Sequence, residues 1–127
     1  MSELLQIGEV AARTELSIKT IRHYDDVALV TPSARSAGGF RLYTDGDVER
    51  LIAIRRMKPL GFTLDEMRDL LGALDTLSAT DATDAEQSTA ASFLVGCHTR
   101  AQDACATLTK QLGYAQELTE RLARYRT

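Results

Sequence analysis

The spacing of hydrophobic residues near the start of the chain predicts two short helices separated by a tight turn. Ile7 and Val10 recur at helical spacing, and a second amphipathic segment follows over residues 17 to 24. Ser17 can accept a backbone N–H in the first turn, so we expect it to cap the second helix. The turn residue that would need positive φ is Glu15, for which that conformation is unfavourable. The pattern predicts a helix-turn-helix.

The second predicted helix carries polar donors around a small packing face. Ile18 and Ile21 lie three residues apart and are expected to face the protein. The remaining positions offer groups that can reach phosphates or base edges of DNA. A solvated surface helix is the alternative interpretation of the same pattern. The residues predicted to contact DNA in this segment are Ser17, Lys19, Thr20, Arg22, His23 and Tyr24.

Two glycines after Pro32 predict a small β-hairpin. Gly38 and Gly39 permit the reversal, and the alternating residues 40 to 43 suit a strand. Residues 27 to 44 contain two arginines and no acidic residue, and a basic hairpin after such a helix is typical of a wing that contacts the DNA backbone. Core packing is the alternative for Tyr24 and Tyr43. The predicted wing contacts are Arg35, Gly39, Phe40, Arg41 and Tyr43.

Two further helices are predicted from their capping residues. Thr44 with Asp47 starts one helix, which ends near Gly61, and Thr63 with Glu66 forms a capping box for the next. A basic cluster near the end of the first of these helices is either a solvated rim or a second phosphate contact. It consists of Arg55, Arg56 and Lys58, and we include Arg56 and Lys58 among the predicted DNA-binding residues.

The last third of the chain has the heptad pattern of a coiled coil. Residues 78 to 91 contain no large hydrophobic side chain, which indicates a linker or the frayed start of a helix. We predict residues 76 to 91 as a linker between domains at 1 to 75 and 92 to 127. A helix of about 35 residues is roughly 50 Å long, which would outrun so small a domain and requires a partner. The predicted dimerisation seam is Leu94, Ala101, Leu108, Ala115, Leu118, Leu122 and Tyr125.

Composition narrows the class of protein. The chain has 127 residues and a net charge of −3, which argues against a protein that coats nucleic acid non-specifically. No run approaches the roughly 18 apolar residues of a membrane span, and the start lacks the features of a signal peptide. We expect a cytoplasmic, nucleoid-associated protein. No nucleophile, base and orienting group occur together, so neither an enzyme nor a cofactor is predicted.

Several separate motifs resemble the MerR family of bacterial transcription regulators. The resemblance covers about residues 5 to 72 and implies a mainly α fold: a winged helix-turn-helix DNA-binding domain followed by a long, antiparallel coiled-coil dimerisation helix. The chain departs from the family pattern at Glu15, Ile18, Val27-Ala28 and Phe40. The motifs are Ile7-Gly8-Glu9-Val10-Ala11, Thr20-Ile21-Arg22-His23-Tyr24-Asp25, Leu29, Pro32, Arg35, Gly39-Phe40-Arg41-Leu42-Tyr43 and Gly61-Phe62-Thr63-Leu64-Asp65-Glu66.

The resemblance also implies a mechanism. A homodimer would bind a palindromic promoter operator and distort an overlong spacer so that RNA polymerase can engage both promoter elements. One alternative is an effector-independent repressor or architectural DNA binder, favoured because no ligand-binding domain follows the last helix. Another is a protein-interaction module with a decayed DNA surface, favoured by Glu15 and the net charge of −3. The sequence does not identify an effector.

Cys97 and Cys105 have the spacing of the metal-binding pair in copper-sensing relatives of this family. Here both lie within one predicted helix, about 12 Å apart along its axis, so one chain cannot chelate a metal ion with both sulfurs. We interpret them as packing residues and predict no metal site. An inter-subunit metal site or an oxidation sensor involving His98 is the alternative.

Overall fold

The computed structural model describes residues 3 to 126. Met1, Ser2 and Thr127, which include the outer limits of the predicted domains, lie outside the described residues. The chain divides into two units after Gly72, close to the predicted domain limit at residue 75. The elements are β1 (Leu5–Gln6), α1 (Ile7–Thr14), α2 (Ile18–Asp26), β2 (Ala34–Arg35), β3 (Arg41–Tyr43), α3 (Asp45–Met57), a 3-10 turn (Lys58–Leu60), α4 (Leu64–Ser78) and α5 (Asp84–Ala123).

The mainly α fold class is confirmed, with one small antiparallel sheet in the first unit. The strand order is β1-β3-β2, so β3 pairs with both of the others. Leu5 of β1 lies opposite Tyr43, and Ala34 of β2 lies opposite Leu42. β1 was not predicted, because a strand of two residues is too short to show an alternating pattern. Its pairing joins the residues just before α1 to the hairpin.

The core of the first unit is built from one face of each surrounding element. α1 packs against α2 and α3, and β3 contacts α1 and α3. Each fully buried large apolar side chain contributes roughly 1.5–3 kcal/mol relative to an exposed one, so burial of such side chains stabilises the packing of these elements. The largest completely buried side chains are Tyr24, Tyr43, Ile21, Leu51, Ile54, Val10 and Thr14.

Reciprocal threonine and acid caps fix where three helices begin. Thr44 Oγ1 accepts the Asp47 N–H at 3.1 Å, and Asp47 Oδ2 accepts the Thr44 N–H at 2.9 Å. This confirms the predicted start of α3. The same pair of bonds starts α4, as predicted, and α5; the residues are Thr63 with Glu66 and Thr83 with Glu86.

Residues 76 to 91, predicted as a linker or the frayed start of a helix, are mostly helical. α4 continues to Ser78 and α5 begins at Asp84, so only residues 79 to 83 lie between the two helices. The cap at Thr83 supplies a helix start, and the alanine, glutamate and glutamine residues that follow are good helix formers even without large hydrophobic side chains. α5 therefore has 40 residues and a length of about 60 Å.

The predicted seam of α5 is largely exposed in the single chain. The exposed fractions are 40% for Leu108, 57% for Leu118, 56% for Leu122 and 74% for Tyr125. Leu94 and Ala101 are partly exposed, and Ala115 is exposed. Pairing with a second chain stays a prediction. Within residues 3 to 126, no helix combines the length and the apolar character needed to cross a membrane.

Candidate nucleic-acid interface

The turn between α1 and α2 adopts left-handed backbone and is held by α3. Glu15 has φ +59, as predicted for this position, and its N–H donates to the Ala11 carbonyl at 2.9 Å. Arg55 Nη1 donates to the Thr14 carbonyl at 2.7 Å and to Glu15 Oε2 at 3.1 Å. Arg55, a member of the basic cluster, therefore fixes the geometry of the turn.

α2 presents basic side chains from a well-capped start. Ser17 Oγ accepts the Thr20 N–H at 3.0 Å and donates to Thr20 Oγ1 at 2.8 Å, so both predicted contact residues take part in the cap. Lys19, Arg22 and His23 are exposed. Within residues 3 to 126, neither Lys19 nor Arg22 forms an ion pair. These two cations are available to an external anion.

The prediction for the isoleucines of α2 is correct for only one of them. Ile21 is fully buried, but Ile18 is 39% exposed. The buried face of α2 consists of Ile21 and Tyr24, which are three residues apart, rather than of Ile18 and Ile21.

Tyr24 and Tyr43 lie in the core, so the prediction that their phenols contact DNA is wrong. Their exposed fractions are 2% and 0%, and neither hydroxyl has a hydrogen-bond partner among the described residues. Burial, and secondarily the charge of Asp25, raises the pKa of Tyr43. Two signals indicate this burial: the helical spacing between Ile21 and Tyr24, and the pairing of Tyr43 with Leu5.

The wing is a hairpin of β2 and β3 closed by a three-residue turn. Ser36 N–H donates to the Phe40 carbonyl at 2.9 Å, and Gly39 N–H donates to the Ser36 carbonyl at 2.9 Å. Gly39 has φ +83, which glycine adopts without strain. Phe40, predicted within a strand, ends the turn instead and is 70% exposed. The turn therefore presents an aromatic ring at the tip of the hairpin.

Asp25, at the end of α2, holds both wing arginines. Arg41 Nε lies 2.7 Å from Asp25 Oδ2, and Arg35 Nη2 lies 3.4 Å from the same oxygen. Arg35 Nη1 also donates to the Gly39 carbonyl at 3.3 Å. The hydrogen bond to Asp25 raises the pKa of Arg41. The wing is thus tied to α2 through one carboxylate, and a phosphate contact by either arginine stays a prediction.

One predicted α2 residue, Arg22, meets the predicted wing residues Gly39, Phe40 and Arg41 around one surface pocket. The pocket has a volume of about 150 Å³ and lies between the start of α1, α2 and the wing. Its lining includes Ile7, Arg22, Phe40 and Arg41. Residues chosen separately from a helix pattern and a hairpin pattern therefore form one continuous surface.

The remaining basic residues lie at the end of α3. Arg56 is in the last turn of α3 and Lys58 starts the 3-10 turn, and both are exposed. Gly61 follows with φ +83, as predicted for the residue that ends this segment. DNA contact by Arg56 and Lys58 stays a prediction.

The two cysteines lie eight positions apart in α5. Cys97 is partly buried, and burial raises the pKa of its thiol, whereas Cys105 is exposed. Among the described residues, no three histidine, cysteine or acidic side chains are grouped in a way that could hold a metal ion. Raised thiol pKa disfavours the thiolate that metal binding and oxidation require, and this agrees with a packing role for Cys97.

A tight helix-turn-helix followed by a two-stranded hairpin defines the class of winged helix-turn-helix proteins. A family model described as "MerR HTH family regulatory protein" matches residues 5–74, which is more than half of the chain. The chain belongs to the MerR family.

Known relatives match mainly through the first unit. The HTH-type transcriptional activator Mta of Bacillus subtilis (strain 168) is 46% identical over 66 residues, which are 52% of this chain and 26% of Mta. The chain spans about half the length of other curated relatives, with 51% and 48% covered in two of them. These relatives are transcription regulators.

Solved structures match over nearly the whole chain. The crystal structure of MtaN, the N-terminus of the Bacillus subtilis multidrug transporter activator, has a TM-score of 0.53 and 29% identity, with 94% of this chain and 95% of MtaN covered. HiNmlR, described as a MerR family regulator lacking the sensor domain and bound to promoter DNA, has a TM-score of 0.69 and 20% identity, covering 97% of this chain and 90% of HiNmlR. The latter likeness shows the fold alone.

Proposed function

We propose that this protein is a DNA-binding transcription regulator that recognises a palindromic promoter operator as a homodimer. The observation that carries this proposal is that Lys19 and Arg22 on α2 are exposed and form no ion pair within residues 3 to 126, and that Arg22 lines a pocket together with Arg41 of the wing. Family membership supports it, because the family model describes HTH regulatory proteins. A protein-interaction module with a decayed DNA surface would not need these cations to remain exposed and grouped.

In the proposed complex, α2 lies in the major groove and the wing lies along the adjacent backbone. Arg22 can donate two parallel hydrogen bonds to the edge of a guanine, a geometry suited to arginine. Arg35, Arg41 and the basic residues after α3 would contact phosphates, which positions the protein without reading sequence. The contacts therefore divide between base reading and backbone positioning.

The proposed dimer forms through α5. A helix of 40 residues with exposed Leu108, Leu118 and Leu122 needs a cover for its apolar stripe, and an antiparallel copy supplies one. A two-fold axis then requires two related half-sites. We further propose that binding distorts the spacer between them so that RNA polymerase can use the promoter, and that the protein resides on the nucleoid.

The direct test is operator binding by an Arg22→Ala variant. The probe is a duplex carrying the promoter upstream of the protein's own gene, compared with a scrambled duplex of equal length in a mobility-shift assay. Loss of a bidentate base contact should cost about 1–3 kcal/mol of operator binding. Lys110→Ala removes one positive charge from an exposed position of α5 outside the predicted seam, so it is the matched control and should bind almost as wild type does.

Two results would overturn the proposal. One is a wild-type protein that does not distinguish the promoter duplex from the scrambled duplex. The other is an Arg22→Ala variant with the circular dichroism and the operator affinity of wild type. If the proposal passes this test, in vitro transcription with and without the protein separates activation from simple repression, because only an activator raises the yield of transcript.

A further inference from the structure

Asp25 occupies a position that links base reading to backbone contact. It lies three residues after Arg22 in α2, so the two side chains belong to neighbouring positions on the same rigid helix. Its Oδ2 oxygen meets Arg41 of β3 at 2.7 Å and Arg35 of β2 at 3.4 Å. These arginines are Cα partners across the hairpin, so one carboxylate holds both strands of the wing.

The contact orients Arg41 without using the groups that phosphate would need. Asp25 engages Nε, and within the described residues neither Nη atom of Arg41 makes a hydrogen bond. Asp26 Oδ1 is 4.0 Å from Nη2, which is an ion-pair separation longer than a hydrogen bond. The Nη side of the guanidinium fork remains available for a phosphate, whose binding by arginine depends on this planar geometry.

Asp26, the next residue, is more exposed than Asp25 and lies farther from Arg41. The side chain of Asp25 is 13% exposed and that of Asp26 is 71% exposed. A pair with a nearly buried carboxylate at 2.7 Å is geometrically fixed, whereas a solvated pair at 4.0 Å is weak and mobile. Asp25 and Asp26 therefore carry the same charge but differ in their hold on the wing.

We propose that Asp25 is a specificity-determining residue. It fixes Arg41 relative to the base-reading helix α2, so that the wing contacts phosphates only where α2 contacts its bases. This inference rests on the proposed DNA-binding function. Non-specific binding depends mainly on the number of cations near the backbone and tolerates loose geometry. Specific binding needs base and phosphate contacts at the same time, so it gains most from a fixed arginine.

The test compares Asp25→Asn with Asp26→Asn, which remove the same charge at adjacent positions. The probes are a duplex selected from a random pool by the wild-type protein and a scrambled duplex of the same length and composition. The quantity measured is the dissociation constant for the scrambled duplex divided by that for the selected duplex, at one salt concentration. A lower ratio means lower specificity. Asp26→Asn should tighten binding to both duplexes and leave the ratio within about twofold of wild type. Asp25→Asn should tighten binding to the scrambled duplex yet lower the ratio by roughly fivefold or more.

A second variant keeps the test decisive if Asp25→Asn is poorly folded. Arg41→Lys keeps the charge of the wing but removes the Nε donor that Asp25 orients. It should lower the ratio as Asp25→Asn does, and the double variant should lose no more than either single variant, since both changes break one contact.

The outcomes separate this inference from the proposed function. If wild type does not bind the selected duplex better than the scrambled one, the proposed function fails. If wild type discriminates but Asp25→Asn and Arg41→Lys retain its ratio, or if their effects simply add, the role of Asp25 is refuted and the DNA-binding function stands.

Discussion

Two residues of the first unit hold left-handed backbone although neither is glycine. Glu15 has φ +59 and Ala28 has φ +56. The conformation at Glu15 is supported from outside, because Arg55 bonds to its carboxylate and to the Thr14 carbonyl beside it. Ala28 has only a methyl group, so no polar side-chain contact can offset its strain, although its N–H donates to the Asp25 carbonyl. Strain at Ala28 is therefore the larger uncompensated cost.

Ala28→Gly should stabilise the protein. Relief of left-handed strain outweighs the added freedom of glycine in the unfolded chain, and we expect a gain of about 0.5–1 kcal/mol in the free energy of unfolding. Urea denaturation followed by circular dichroism measures it. Ala12→Gly is the control, because Ala12 is an exposed residue inside α1, where glycine should destabilise by about 1 kcal/mol. Equal losses in both variants would show that Ala28 is unstrained.

At this scale, features that depend on neighbouring residues were predictable and features that depend on the distant chain were not. The caps at Ser17, Thr44 and Thr63 and the left-handed residue Glu15 follow from a few adjacent residues. The burial of Tyr43 depends on elements brought against β3 from other parts of the chain, whereas that of Tyr24 was indicated by its helical spacing from Ile21.

The start of α5 should be sensitive to acid through Glu86. The Thr83 N–H donates to Glu86 Oε1 at 3.0 Å, and this hydrogen bond lowers the pKa of Glu86. A lowered pKa in the folded state means that the stabilisation is present above the unfolded pKa and is lost as pH falls through the folded pKa. We expect the contribution of this cap to be fully present above the ordinary glutamate pKa of about 4.3 and to fall as the pH is lowered below it.

Glu86→Gln isolates this effect, because glutamine can still cap but does not titrate. Thermal unfolding at several pH values should show wild type more stable than Glu86→Gln at neutral pH, and the difference should shrink as the pH falls below about 4.3. Glu117→Gln, which changes an exposed glutamate later in α5, should run parallel to wild type. A constant difference between wild type and Glu86→Gln across this range would refute the assignment.

At the scale of elements, the helices with caps or hydrophobic spacing and the hairpin marked by glycines were predictable. A strand of two residues and a helix start without large hydrophobic residues were not. α1 to α4 have strong caps or hydrophobic spacing, and the hairpin is marked by Gly38 and Gly39. β1 escaped prediction because two residues carry no period. The pattern left open whether the first turns of α5 were linker or helix, because their stability comes from the Thr83 cap and helix propensity, and a search for large hydrophobic residues detects neither.

The assembly of the whole molecule should depend on the seam of α5. A double variant Leu108→Asp with Leu118→Asp places two charges on the predicted interface and should be monomeric by sedimentation at micromolar concentration, because buried unpaired charges are strongly unfavourable. Its operator binding should also be weak, since one subunit reaches only one half-site. The matched control is Thr109→Asp with Gln116→Asp, which adds the same charge at exposed positions outside the seam.

The dimer assignment is wrong if the seam variant sediments as a dimer. It is equally wrong if wild type itself is monomeric at concentrations where it binds the operator. If both double variants become monomers, the interface is wider than the predicted seam, and the positions of Thr109 and Gln116 belong to it.

The pairing of Leu5 with Tyr43 has a consequence for how this domain can be exchanged between proteins. The segment from residue 5 to residue 43 contains the helix-turn-helix and the wing, and its two ends lie side by side in the sheet. Such a segment can be transplanted as a cassette, because its two junctions nearly coincide and leave no gap to bridge. The recipient must keep the face of α3 against which α1 and β3 pack, together with Arg55 for the turn and Asp47 for Ser33. If the proposed DNA-binding function holds, we expect the preference for a DNA sequence to be transferred with this segment, whichever helix follows it.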